Sequence, residues 1–405
     1  MAISTLPPIA QRILKHAELP LEKAIALPAS AYTNAEYYQW EVEHILKRQW
    51  LCVGHQSQIP NPGDYLHFDL LDEPLIVTRD KQDQIHVLSR VCVHRGMDLM
   101  PTSYGHDTKG NRSRLLCPYH HWSYELDGSL VAAPEMQKHQ TFHTDQYCLP
   151  QFKCEIWQGF IFVSFADDIP SLKEQFSGLF PFVEQRNMSD LEMVISLEWD
   201  CHFNWKVLVE NFMESYHHLG AHHKTFEPIM PAAGTWSESN TGDSIVAHLP
   251  FSPRVLQDTQ THQEMIEFVP SPDLKPQDRN EYAVYLGSPT FLLFGGPDRV
   301  YWYGLQPLAA DRMTLTTTML IHPESKQSHR YEELHQDAID SLKRFHLEDM
   351  EMCTAVQTGL NSSRYQPGPL SHLEMPVWLF QRYLAKQIKQ VVIKLRTTRK
   401  TGKGH

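Results

Sequence analysis

Apolar residues between positions 45 and 168 come in short runs. GDYLHFDLL (63–71), PLIVTRD (74–80), IHVLSRVCV (85–93) and QGFIFVSF (158–165) are rich in β-branched and aromatic residues, and turn residues separate them at 61–63, 79–84 and 126–129. This spacing predicts a small all-β domain. From residue 169 onward the pattern mixes two periods. Val194–Trp199 and Thr314–Ile321 read as strands, and Ala338–Leu360 and Pro376–Leu395 as helices. Residues 252–280 are polar and Pro-rich and read as a long excursion. Residues 1–44, with Pro at 7, 8, 20 and 28, read as a helical or extended lead-in. The chain thus divides into 1–44, 45–168 and 169–405, with no internal repeat.

Charge and composition narrow the function. The 405 residues carry 36 basic and 48 acidic side chains, a formal charge of 36 − 48 = −12. That balance argues against a nucleic-acid partner, because phosphate binding rests on clustered Lys and Arg. No apolar run approaches the ~20 residues of a membrane span. The first twenty residues lack a secretory core and cleavage site, so a cytoplasmic protein is expected. The stretch Lys386–Lys403 holds seven Lys or Arg and no acid. It reads as a solvated helix end or, alternatively, as a docking patch for an acidic electron-transfer partner. The unusual counts are 24 His and an odd number of Cys, seven. In a reducing compartment such Cys are thiols or metal ligands.

The first cluster is Cys92-x-His94 in VCVHRGMDLM and Cys117-x2-His120 in LLCPYHHWSYELDG. Both pairs follow strand-like runs, so each lies where a strand gives way to a loop. Structural zinc uses the same residue types, and unrelated buried thiols and imidazoles are the bland alternative. A Rieske [2Fe–2S] cluster, with two thiolates on one iron and two imidazoles on the other, fits the unequal spacing better.

The second cluster lies in NWKVLVENFMESYHHLGAHHKTF, 204–226. A helix running on from Trp205 places Glu210, Glu214 and His217 on one face at i, i+4 and i+7. Gly220 offers a break that brings His222 back toward them. Two imidazoles and one carboxylate form the facial triad of non-haem Fe(II) oxygenases. In the later helix the apolar stripe Ile339, Leu342, Phe345, Cys353, Val356, Leu360 has a gap at Asp349. A carboxylate on a buried face needs a partner, and Glu348 points about 100° away. Asp349 is therefore the better third ligand, with a bond to Arg344 or Arg364 as the alternative.

These motifs resemble those of the α subunits of Rieske non-haem iron oxygenases, the aromatic-ring-hydroxylating type. That pattern is C-x-H … C-x2-H, then N-W-K … E-N-x-x-(D/E)-x-Y-H-x4-H. The chain matches it at Asn204, Trp205, Lys206, Glu210, Asn211, Glu214, Tyr216, His217 and His222. A late match covers Glu348, Asp349, Cys353, Gln357, Gly359, Leu360, Pro367, Gly368, Leu370, Ser371 and Glu374, and is similar to members acting on quaternary amines or carboxylated small molecules. The resemblance runs from about Trp50 to about Phe380. Two departures stand out: His121 replaces the usual Gly after the second His, and 95–116 is a few residues longer, as a surface loop.

The resemblance implies an α+β protein, with an all-β Rieske domain inserted in a helix-grip-like catalytic domain of antiparallel sheet and helices. It implies Cys92, His94, Cys117 and His120 on the cluster, His217, His222 and Asp349 on mononuclear Fe(II), and Glu214 bridging the cluster of one subunit to the iron of the next. Asn204 is expected near the iron. The implied assembly is a homotrimer, with or without a β subunit. O2 is the co-substrate, and NAD(P)H acts only through a separate reductase or ferredoxin, since the chain shows no flavin or nicotinamide motif. Tyr301 and Tyr303 in VYWYGLQP share a strand face and are candidate substrate contacts, with plain sheet packing as the alternative. The expected activity is monooxygenation or oxidative demethylation of a small organic substrate. Ring dihydroxylation, a non-enzymatic Rieske electron carrier and a zinc hydrolase are the competing readings.

Overall fold

The structure, a computed structural model, describes residues 6–238 and 243–401, with the side chains of 259, 262, 264 and from 395 onward outside the description. The chain clusters into two compact units, 1–48 with 170–405, and 49–169.

The 49–169 unit is built from small antiparallel sheets. Leu51–His55, Phe160–Ser164 and Lys153–Trp157 form one. Ile85–Ser89, Glu73–Arg79, Asp64–Leu70 and Lys109–Asn111 form the second. Leu115–Leu116, Ser123–Tyr124 and Leu130–Ala132 form the third. The 95–116 stretch is therefore not loop alone. Lys109–Asn111 adds an exposed edge strand against Asp64–Leu66. Ile76, Leu88, Leu99, Leu115, Trp122, Tyr124 and Leu126 share one core with Cys92 and Cys117.

The larger unit is a seven-stranded antiparallel sheet packed against helices. The strand order is Glu192–Cys201, Arg312–Ile321, Arg299–Ala309, Phe291–Gly295, Glu281–Gly287, Ser244–Pro250 and Trp236–Ser237. The expected strands at 194–199 and 314–321 are present and longer. The middle strands are buried on both faces, so they lack the alternation that marks a half-exposed strand. Residues 252–280 are not a bare excursion; they hold the short helices Pro253–Gln257, Thr259–Glu264 and Gln277–Asn280. The two late helices begin before their expected starts, as Tyr331–Leu360 and Met375–Thr401. Val356, expected on the apolar stripe, is half exposed. The buried face runs Leu334, Ala338, Leu342, Phe345, His346, Cys353, Gln357, Leu360. Of the basic run, Lys386 pairs with Asp243, and the part from 395 on lies outside the described side chains. Among the described residues no helix is long and apolar enough to cross a membrane.

One helix, Trp205–Met213, is tied to the N-terminal segment by buried polar groups. Asn204 caps it, accepting from the Lys206 N–H at 2.9 Å and donating to the carbonyls of Tyr32 and Ala310 at 3.0 and 2.6 Å. Lys206, fully buried, meets Glu41 at 2.5 Å and lies over the rings of Trp205, Tyr32 and Tyr37. Burial pushes the Glu41 carboxyl up and the Lys206 ammonium down, and each is partly restored by the other. Glu210 faces this network. Both its oxygens lie 2.8 Å from the Tyr32 hydroxyl. Burial raises its pKa to about 7, against the opposing pull of Tyr32 and Lys206.

Two outcomes follow from this network. Lys206→Met strands Glu41 in the interior and should cost about 3–5 kcal/mol of stability in urea unfolding, with part recovered on adding Glu41→Gln. Glu210 holds its proton in the folded state and releases it earlier when unfolded, so its contribution to stability falls as pH rises from about 4.5 to 7. Glu210→Gln should flatten that part of the stability–pH curve.

Candidate active site

The first centre sits on two loops of the 49–169 unit. The Cys92 N–H donates to the Met97 carbonyl and the Gly96 N–H to the Cys92 carbonyl, with Gly96 at φ +72°. In the second loop the Cys117 N–H donates to the Trp122 carbonyl and the His121 N–H to the Cys117 carbonyl. His121 takes the left-handed conformation, φ +60°, a position that favours Gly. Both thiols are buried, and Tyr124 Oη lies 3.2 Å from Cys92 Sγ. The His94 and His120 rings are 4.6 Å apart, and His94 stacks on Trp122. The Nδ1 atoms of both imidazoles are buried with no hydrogen-bond partner. Buried polar atoms are normally paired, so these two nitrogens are suited to metal. Among the described residues, the only group of three or more donors within 4.8 Å of one another is His217, His222 and Asp349. The Cys92–His120 set does not close on a single point, as tetrahedral zinc requires. It fits a larger, two-iron cluster.

The second centre corrects the helical reading. Helix Trp205–Met213 ends one residue before Glu214, which is extended at φ −121°, ψ 159°. Glu214 and His217 therefore do not share a helix face with Glu210. Glu214 stops the helix because its carboxylate accepts from the N–H groups of Tyr216 and His217. The turn happens there and not at Gly220, whose φ of −105° is ordinary. Tyr216–Leu219 forms a tight turn, and the loop beyond it returns His222 to the interior.

Asp349 Oδ1 lies 2.9 Å from His222 Nε2 and 3.5 Å from His217 Nε2. It meets these imidazoles, not Arg344 or Arg364. The opposite ring nitrogens are held by acids. His217 Nδ1 meets Glu214 at 2.7 Å, and His222 Nδ1 meets Glu348 at 2.7 Å. Thr225 donates to the same Glu348 oxygen at 2.7 Å. Burial alone would lower both histidine pKa values, but Glu214 and Asp349 at His217, and Asp349 and Glu348 at His222, raise them. Burial would raise Asp349, and His222 and His217 outweigh it. Two Nε2 atoms and one carboxylate converge with their outer partners in place, which suits one divalent ion. His218 is not one of the three converging donors. Its Nδ1 meets the Met230 carbonyl at 3.1 Å, and burial, with His217, drops its pKa to about 3. Glu348 was missed as an orienting group. It does diverge from Asp349 on the helix, but it reaches the far side of the His222 ring.

A cavity of about 40 Å³ opens beside this triad, walled by Phe212, Phe226, Phe294, Tyr303 and Phe345 with Asn211, Leu249 and Val284. Tyr303 lines it. Tyr301 does not; it stands behind Phe294, ring centroids 5.8 Å apart. Asn204, expected near the iron, is not in this wall, because the helix cap consumes its amide.

Two centres of this chemistry on these two folds define a Rieske-type oxygenase subunit. The family described as "Ring hydroxylating alpha subunit (catalytic domain)" matches residues 188–390, and "Rieske [2Fe-2S] domain" matches 49–152. The chain belongs to this oxygenase family and is an oxidoreductase. Its domains imply a Rieske cluster and a mononuclear non-haem iron. It is 26% identical over 382 residues to the glycine betaine monooxygenase oxygenase subunit of Chromohalobacter salexigens, covering 85% of this chain and 82% of that one. A quaternary ammonium Rieske monooxygenase solved with L-carnitine superposes with TM-score 0.75 at 21% identity, over 95% and 99% of the two chains. A Rhodococcus naphthalene 1,2-dioxygenase bound to indole gives TM-score 0.78 at 18% identity, over 96% and 99%.

Removing the Glu348 carboxylate by Glu348→Ala should weaken mononuclear iron binding by about 10- to 100-fold in a chelator competition, leaving the visible spectrum of the cluster unchanged.

Proposed function

We propose that this chain is the terminal oxygenase component of a Rieske monooxygenase system and hydroxylates or oxidatively demethylates a small amine-bearing molecule. The observation that carries this is the convergence of His217, His222 and Asp349 beside a cavity walled by aromatic rings. When bound, the cluster would supply single electrons and the mononuclear iron the chemistry of O2 activation. Cys92, Cys117, His94 and His120 would hold the former; His217, His222 and Asp349 would hold the latter. Glu214 keeps a proton on His217 Nδ1 and turns Nε2 inward, and Glu348 does the same for His222. The aromatic walls exclude water and position the reacting carbon. Glu214 is also the residue we assign to the link between the cluster of one subunit and the iron of the next. That assignment requires a homotrimer, with electrons arriving from NAD(P)H through a separate reductase or ferredoxin, in the cytoplasm. The similarity to relatives named for glycine betaine and carnitine favours an amine over an arene.

Anaerobically purified protein should be brown, show Rieske-type EPR on reduction and hold about three irons per chain, dropping to about two in Asp349→Ala. Incubation with a chemical reductant, O2 and methylated amines should then give hydroxylated or demethylated product by mass spectrometry. A colourless zinc protein would sink the oxygenase reading. Two irons per chain, unchanged by Asp349→Ala, would leave an electron carrier.

A further inference from the structure

The polar groups of the cavity wall differ in what they have left to offer. His217 and His222 turn their Nε2 atoms to Asp349. Glu214 already accepts from His217 Nδ1 and from two backbone N–H groups. Asn211 and Tyr303 can each give or take a hydrogen bond. His218 is different. Its Nδ1 is 3.1 Å from the Met230 carbonyl, which only accepts, so the ring hydrogen sits on Nδ1. The ring lies 5.1 Å from that of His217, 5.5 Å from His222 and 5.4 Å from Phe226, all of them lining residues. Buried beside a divalent-ion site, this imidazole is neutral. Its Nε2 therefore keeps a lone pair and has no hydrogen to give. Among the described residues no group bonds to it, yet it is not sealed in the interior as the Nδ1 atoms of His94 and His120 are. It opens on the cavity that the ring lines.

We infer that His218 selects the substrate, which is a protonated secondary or tertiary amine whose N–H donates to His218 Nε2. This rests on the oxygenase reading above and narrows it. A bound molecule displaces the water that would otherwise satisfy Nε2. A quaternary nitrogen carries four carbons and no hydrogen, so it would leave that lone pair dry and unpaired against C–H groups. A site built to hydrogen-bond a donor rejects the analogue that lacks it. The glycine betaine and carnitine of the relatives' names are of that quaternary kind. An N–H held on His218 also keeps the carbons of that nitrogen in the same small cavity as His217, His222 and Asp349.

The test is calorimetric titration of iron-loaded, anaerobic protein at neutral pH with two probes, trimethylammonium and tetramethylammonium. They share one charge and nearly one size, and differ by N–H against N–CH3. Trimethylammonium should bind at least about tenfold more tightly. His218→Asn keeps an amide donor for the Met230 carbonyl and removes the Nε2 acceptor, so the preference should fall to about onefold. His218→Gln puts an amide oxygen near the place of Nε2 and should keep at least about a threefold preference. Iron content should be unchanged in both. Equal binding of the two ions, tighter binding of tetramethylammonium, binding of neither, or a tenfold preference that survives His218→Asn overturns the inference. The comparison in the unsubstituted protein decides by itself if a variant does not fold. The two readings fail separately. Iron-replete protein that prefers tetramethylammonium remains an oxygenase and refutes only the donor rule, whereas protein without mononuclear iron refutes the oxygenase itself.

Discussion

A carboxylate and two imidazoles packed into an apolar wall need a cation among them. Asp349 is mostly withdrawn from water and lies within 3.5 Å of both histidine Nε2 atoms. Without a proton or a metal ion between them, the cost of removing that charge from water is several kcal/mol. Much else in the catalytic unit serves to hold these three groups together. The long helix Tyr331–Leu360 delivers Asp349 and Glu348 from adjacent positions to different sides of one ring. The helix Trp205–Met213 stops early so that Glu214 can turn toward His217.

The placement of that helix depends on groups far from the metal site. Asn204 fixes the helix start, and Lys206 and Glu210 are locked to Glu41 and Tyr32. The polar residues of this helix therefore divide by role. Those in its first two turns anchor it to the N-terminal segment, and those past its end face the metal. A buried polar network of this kind resists small displacements, which suits a site whose donors must meet within a few ångströms.

The cluster loops solve a similar problem by shorter means. Each folds tightly back onto its own cysteine carbonyl, so two thiols and two imidazoles emerge from one end of a small β unit. The orphaned Nδ1 atoms of His94 and His120 parallel the converging Nε2 atoms of the second site. In both centres one imidazole nitrogen is left for metal. In the second the opposite nitrogens are held by carboxylates of the same chain.

The sequence alone determined the cluster spacing and the candidates His217, His222 and Asp349 at the second site, because these are local patterns of residue type. It showed that His121 stands where Gly is usual, and the fold then shows that position at φ +60°. It did not reveal the central strands 281–287 and 291–295. Both their faces are buried, so no alternation marks them. It misplaced Glu210, because helical periodicity assumes the helix continues, and a side chain bonding to its own backbone ended it at Met213. Glu348, the depth of Tyr301 behind Phe294 and the capping role of Asn204 were decided only by the tertiary structure. Each depends on which distant segment comes within bonding distance, and residue order along one helix or strand does not carry that.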